Sequence, residues 1–213
     1  MVMGTTRILL VDDHAIVRQG YRRLLEGEPS ILVVGEASNA SQACQSVREL
    51  SPDVVVMDIA LPGTSGIEAT RRMLKEQPRL RILMFSMYDD AIYATRALEA
   101  GALGYLSKAS APEVLVQAIY SVCRGQRYVS PDVAANVARS AAQPGKSEIA
   151  ALSPREFEVL RLLVQGETVK SIGERLGLSE KTVANHQSAI REKLGARNSA
   201  QLARLAAQIG LAG

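Results

Sequence analysis

The sequence predicts an α/β domain built on a doubly wound, five-stranded parallel sheet, followed by a small all-α domain of four short helices. Three observations predict this. Residues 1–124 alternate short apolar runs with helically spaced segments, the runs show no polar alternation, and beyond Leu152 only helical spacing remains. A strand without a polar face is covered on both sides, which is the condition of strands in a parallel sheet flanked by helices. Strand-helix alternation then gives the doubly wound pattern. At 213 residues the chain is long enough for two cores.

The strand-like runs are Ile8–Val11, Ile31–Gly35, Val54–Met57, Ile82–Phe85 and Gly104–Ser107. Between them, Ile16, Val17, Tyr21, Leu24 and Leu25 show helical spacing, and further helices are expected over Ala40–Leu50, Gly66–Gln77, Asp90–Ala100 and Pro112–Cys123. The first domain therefore spans 6–124. Residues 125–148 read as a linker, with a short helix near Ser130–Ala142 and an exposed tether at Gln143–Ser147. In the last part, 149–213, Ser153-Pro154-Arg155-Glu156 pairs an N-cap Ser with a first-position Pro and a capping-box Glu. Gly177 stops a second helix marked by Val169, Ile172 and Leu176. Ser179 caps a third that Gly195 ends, and Ser199 opens a fourth that runs to Ile209.

Charge is uneven. Residues 1–124 carry 13 Lys+Arg against 14 Asp+Glu, whereas 149–213 carry 9 against 6, which points mildly to an anionic partner for the second domain. No stretch has the length and apolarity of a membrane span, and Met1–Gly4 lacks the basic start of a signal peptide, so a cytoplasmic protein without membrane contact is expected. Cys44 and Cys123 sit among apolar helical neighbours and read as small buried hydrophobes.

Ligands of an open parallel sheet sit beyond the carboxyl ends of its strands. Those ends carry, in order, Asp12 and Asp13, then Asp58, then Ser86, then Lys108. Singly, each has an ordinary role as a cap, a turn residue or a solvated cation. Together they converge on one edge. Three carboxylates there need a cation, and hard oxygen ligands with room for water suit Mg²⁺. Asp58 ends the central buried run and precedes Leu61-Pro62-Gly63; it is the best-placed nucleophile, because a carboxylate can accept a phosphoryl group. Lys108 and Ser86 can serve phosphoryl oxygens. His14 reads as a site-edge or capping residue.

This set resembles the receiver domain of bacterial two-component response regulators: Val11-Asp12-Asp13, Met57-Asp58 with Leu61-Pro62-Gly63 and Gly66, then Ser86, Tyr105 and Lys108. The resemblance implies a flavodoxin-like fold and a phosphoryl group passed to Asp58 from a phosphohistidine on a sensor histidine kinase. It also implies a metal held by Asp13, Asp58 and the Ala60 carbonyl with help from Asp12, and a switch pair of Ser86 and Tyr105. After Lys108 the family often has Pro; here Ala109 follows, and a cis bond at that place would cost about 3 kcal/mol.

The second domain has helix-turn-helix spacing over about 169–188, in which the second helix enters the major groove of double-stranded DNA. Its Leu152-Ser153-Pro154-Arg155-Glu156, Ile172-Gly173, Leu176-Gly177-Leu178-Ser179, Lys181-Thr182-Val183 and His186 resemble the LuxR-type domain, and with the receiver the NarL/FixJ family. With Val183, Gln187, Ile190 and Leu194 inward, the outer face carries Lys181, Thr182, Ala184, Asn185, Ser188 and Arg191. Ala184, Asn185 and Ser188 suit base edges; Lys181, Thr182 and Arg191 suit phosphates. His186 fits either packing or a phosphate contact. One such helix reads few base pairs, so a homodimer is expected, and the family assigns part of the pairing to Ser199–Ile209.

The expected protein is a phosphorylation-switched transcriptional regulator and not an enzyme, dimeric when phosphorylated, with RNA polymerase as a possible further partner. A phosphorylation-independent DNA-binding dimer is one alternative. A Mg²⁺-dependent aspartyl phosphatase is another, against which stands Ala60, where such an enzyme would carry a second carboxylate.

Overall fold

The first apolar run becomes β1 (Thr6–Val11), which lies between β2 (Ile31–Ala37) and β3 (Val54–Met57). The sheet continues through β4 (Arg81–Ser86), β5 (Gly104–Ser107) and β6 (Tyr128–Val129), all parallel, in the order β2-β1-β3-β4-β5-β6. This computed structural model describes residues 5–88, 91–141, 151–198, 201, 202, 204 and 205. The chain divides into two compact units, Met1–Ser140 and Ala141–Gly213.

In the first unit the helices are α1 (Ala15–Glu26), α2 (Ala40–Leu50), α3 (Gly66–Glu76), α4 (Ala91–Glu99), α5 (Pro112–Cys123) and α6 (Pro131–Ala141). Alternate strand residues Ile8, Leu10, Val54, Val56, Leu83, Phe85 and Leu106 pack against Leu25 of α1 and against Leu115, Ile119 and Val122 of α5. Their neighbours Leu9, Val55, Met57, Ile82 and Met84 are equally buried, as two-faced burial requires. Asn39 caps α2 through the Gln42 N–H, and Ser65 caps α3 through the Glu68 N–H.

The sheet has six strands where the sequence predicts five. β6 lies inside the expected linker, and two residues are too few to show periodicity. Its place is set by backbone bonds: the Tyr128 N–H donates to Leu103 O at 3.1 Å and the Ser130 N–H to Tyr105 O at 3.1 Å. The first unit therefore runs on through α6, whose Val133 is fully buried. Two further expectations change. Ile16 is 86% exposed, because it precedes Leu25 by nine residues and about 100° per residue turns it to the opposite face of α1. The Lys108–Ala109 bond is trans, as no peptide bond among the described residues is cis; without proline's tertiary amide the cis form has no local support. Cys44 and Cys123 are free thiols and only half-buried.

The second unit contains α7 (Pro154–Val164), α8 (Val169–Leu176) and α9 (Glu180–Lys193) around Phe157, Leu160, Ile172, Val183 and Ile190. The expected capping box closes α7: Ser153 Oγ accepts the Glu156 N–H while the Glu156 carboxylate accepts the Ser153 N–H. Gly177 caps α8 in the left-handed conformation, and Ser179 caps α9. A Cβ on Gly173 would stand 2.8 Å from Leu178 O, so the tight α8–α9 turn needs glycine there. The Gln143–Ser147 tether lies outside the described residues, as does most of the expected fourth helix.

Candidate functional site

Because β1, β3, β4 and β5 are parallel neighbours, their carboxyl ends fall on one edge. Backbone bonds align the tips: the Asp58 N–H donates to Val11 O at 2.9 Å, the Lys108 N–H to Ser86 O at 2.7 Å and the Asp12 N–H to Ala37 O at 3.0 Å. The structure thus brings Asp12, Asp13, Asp58, Ser86 and Lys108 together, though they span almost a hundred residues of sequence.

Lys108 is the hub. Its buried Nζ donates to Asp58 Oδ2 at 2.6 Å and to Asp12 Oδ2 at 2.5 Å. Burial pushes the Asp58 carboxyl above its ordinary range, and the Lys108 charge offsets only part of that. Burial alone would lower Lys108, but the Asp58 and Asp12 carboxylates outweigh it and hold the ammonium above its usual value. Asp58 Oδ1 also accepts the Ile59 N–H at 2.6 Å and the Ala60 N–H at 3.4 Å. The loop behind is close-packed: a Cβ on Gly66 would lie 1.9 Å from Asp58 O, so only glycine lets α3 start against the acidic strand tip.

Asp12 does two jobs. Beyond Lys108, its Oδ1 accepts the His14 N–H at 2.8 Å and so satisfies a free donor at the start of α1. Asp13 is exposed and lies 2.8 Å from His14 Nδ1. One ligand atom from each of Asp12, Asp13, His14 and Asp58 falls within 4.8 Å of the others. Three carboxylates in that space form a donor set compatible with a hard divalent cation.

Ser86 and Tyr105 are both fully buried beside this edge. The Tyr105 hydroxyl donates to Tyr88 O at 2.5 Å, and the Tyr88 N–H donates to Ser86 Oγ at 3.4 Å. The Tyr88 ring stacks on Tyr93 of α4, centroids 4.5 Å apart and 14° from parallel. The Tyr105 ring is therefore inward, its hydroxyl tied to the loop that follows Ser86.

In the second unit Lys181, Ala184, Asn185 and Ser188 are exposed on one face of α9, while Thr182 and Arg191 are half-buried. The Ser188 hydroxyl donates to Ala184 O at 3.0 Å, and the Thr182 hydroxyl lies 2.8 Å from Ser179 Oγ. α9 is anchored from behind by Lys193, whose Nζ donates to both Glu156 oxygens at 2.7 and 2.9 Å. Buried Arg155 donates to Leu176 O and Glu158 and ties α7 to the end of α8. His186 is half-buried, and that burial lowers its imidazole below the ordinary value; it leans toward packing.

Sequence reasoning missed three contributors: Arg18, which donates to Asp12 O and Glu36; the Tyr88–Tyr93 stack; and the Glu156–Lys193 link. Arg18 was findable, since it precedes Leu25 by two turns and so shares that residue's buried face, an unusual place for a charge.

An acidic, lysine-bridged edge on a parallel sheet, in a chain with a separate helix-turn-helix unit, defines a receiver coupled to a DNA-binding module. Residues 8–120 match the response regulator receiver domain, and 150–206 match the luxR family of bacterial regulatory proteins. The response regulator UvrY of Escherichia coli K12 is 41% identical over 206 residues, covering 96% of this chain and 94% of UvrY. Among solved structures, a LuxR-family two-component response regulator from Aurantimonas sp. SI85-9A1 is 49% identical, with a TM-score of 0.64 over 66% of this chain and all of that one. RcsB from Salmonella enterica serovar Typhimurium, bound to promoter rprA in the presence of phosphomimetic BeF3−, is 26% identical, with a TM-score of 0.66 over 95% and 98% of the two chains. The chain belongs to the NarL/FixJ family of DNA-binding two-component response regulators. Among the described residues no helix is long and apolar enough to cross a membrane.

Proposed function

We propose that this response regulator is a transcription factor switched by Mg²⁺-dependent phosphorylation of Asp58 by a sensor histidine kinase. The observation that carries this reading is the meeting of Asp12, Asp13, Asp58 and Lys108 at one sheet edge. An Asp58 carboxylate oxygen attacks the phosphorus of a phosphohistidine; the P–O bond forms as the P–N bond breaks, and the imidazole leaves with the bonding pair and takes up a proton. Asp13, Asp58 and the Ala60 carbonyl, assisted by Asp12, are the residues that would hold Mg²⁺, and the bound ion supplies charge neutralisation between carboxylates and phosphoryl oxygens.

Lys108 then exchanges its Asp58 contact for a phosphoryl oxygen, and Ser86 donates a hydrogen bond to a second one. Moving Ser86 disturbs the Tyr88 N–H that it accepts, and with it the Tyr105–Tyr88 bond. The switch therefore biases a two-state equilibrium rather than creating a new state. Two LuxR-type units dimerise on half-sites, with Ala184, Asn185 and Ser188 toward base edges and Lys181, Thr182 and Arg191 toward phosphates. The RcsB structure bound to a promoter supports this direction.

The test is to incubate the chain with acetyl phosphate, reduce with borohydride and map the modified residue by mass spectrometry. Label at Asp58 that requires Mg²⁺ and is lost in Asp58→Asn is the expected result. Label elsewhere, or label indifferent to Mg²⁺, refutes the reading.

A further inference from the structure

We propose that Arg18 is a positioning residue for the acidic site: its guanidinium holds the Asp12–Asp13 tip of β1 in the geometry that receives a divalent cation. The inference rests on the reading that this cluster binds such a cation.

Arg18 is mostly buried on the inner face of α1. Its Nη1 donates to the backbone carbonyl of Asp12 at 2.5 Å, and its Nε donates to Glu36 Oε2 at 2.7 Å. Glu36 lies on β2 opposite Leu10 of β1, and Arg22 holds its other oxygen at 2.8 Å. The two arginines draw the Glu36 carboxyl below its ordinary range, so it stays ionised as their anchor. One rigid fork thus spans helix, strand tip and neighbouring strand, a task that suits the planar guanidinium and not an ammonium.

The placement runs against local preference. A cation in the first turns of a helix opposes the macrodipole, and α1 has no acidic residue in its first turn to compensate. The contacts of Asp12 explain why it is tolerated. Asp12 is held by its N–H to Ala37 O, its Oδ1 to the His14 N–H and its Oδ2 to Lys108. Its carbonyl, the peptide unit that leads into Asp13, is held by Arg18. Asp13 is the exposed member of the cluster, and the Arg18 bond fixes the peptide from which its side chain springs.

Field and position predict opposite signs, which makes the claim testable. Removing the guanidinium leaves Glu36 less compensated and the site more negative, so a purely electrostatic role predicts tighter cation binding. A positioning role predicts weaker binding, by about tenfold on the precedent of residues that orient metal ligands. The experiment titrates the full chain with Mn²⁺, reading free ion by electron paramagnetic resonance. The variants are Arg18→Met, Arg18→Lys and, as a check on the cluster itself, Asp13→Asn, each with its thermal midpoint.

The expected result is weaker Mn²⁺ binding for Arg18→Met, with partial recovery in Arg18→Lys, which keeps the charge and can keep one of the two bonds. Adding Glu36→Gln to Arg18→Met should restore neutrality but not affinity. Unchanged or tighter binding in Arg18→Met overturns the proposal, including when its midpoint falls. Should Arg18→Met not fold, Arg18→Lys decides: wild-type affinity overturns the proposal. If Asp13→Asn binds as wild type does, the cation reading itself fails, and this inference with it.

Discussion

Lys108→Met isolates the electrostatic core of the site. Nζ sits 2.6 Å from one carboxylate oxygen and 2.5 Å from another, so those oxygens are no more than about 5 Å apart. With an effective dielectric constant near 20, two bare charges at that distance repel by about 3 kcal/mol. Removing one partner from a buried ionic group costs about 3–5 kcal/mol. Methionine keeps the stem's volume, so charge is the main change. With m near 2 kcal/mol/M, the urea midpoint should fall by about 1.5–2.5 M. All six tyrosines lie in the first unit and the chain has no tryptophan, so tyrosine fluorescence follows that unit alone. Without Lys108, which offsets part of the burial, the Asp58 carboxyl sits further above its unfolded value. The penalty is then absent below the unfolded pKa and grows as pH rises through the folded one. The deficit should therefore shrink from pH 7 toward pH 4, and Mg²⁺ should stabilise the variant more than the wild type. A midpoint at pH 7 within about 0.3 M of wild type, or an equal Mg²⁺ response, refutes the reasoning.

Gly66→Ala forces a Cβ against Asp58 O, so the β3–α3 loop must shift. A loss of about 3 kcal/mol, with slower Asp58 phosphorylation, is expected in urea melts and acetyl phosphate assays. In the second unit, burial would raise Glu156, but the Lys193 and Ser153 bonds outweigh it and leave its carboxyl below the ordinary value. Its contribution is therefore present above about pH 4.5 and lost as pH falls through the folded value. Glu156→Gln should flatten that acid limb, read from the Val183 and Ile190 amide signals by NMR. Lys181→Ala should weaken DNA binding evenly across sequences and reduce the salt slope by about one; Asn185→Ala should instead relax preference at one base position, at a cost of about 1–3 kcal/mol. Selection from random duplexes at two salt concentrations separates these outcomes.

The sheet was legible because a two-faced strand cannot hide its apolar run: Val54–Met57 and Gly104–Ser107 begin and end where the sequence places them. Ser153, Gly177 and Ser179 were equally plain, since caps act through neighbours only a few residues away. The acidic edge followed from the rule that parallel strands share one carboxyl side. What stayed out of reach depends on contacts that leave no period. β6 is two residues held by backbone bonds, and the Tyr88–Tyr93 stack depends on how a loop folds back onto α4. Ile16 misleads because apolar spacing marks a stripe without fixing which residue lies at its edge, and it ends fully turned to solvent.

The central claim is that phosphorylation of Asp58 controls binding to DNA. Its most direct test is fluorescence anisotropy of the full chain on a duplex selected for binding, with Mg²⁺ and with or without acetyl phosphate. The account predicts that acetyl phosphate tightens wild-type binding by about tenfold, within the usual range of allosteric coupling, and leaves Asp58→Asn unmoved. An Asp58→Asn chain that responds as the wild type does, or a wild type that does not respond, contradicts it.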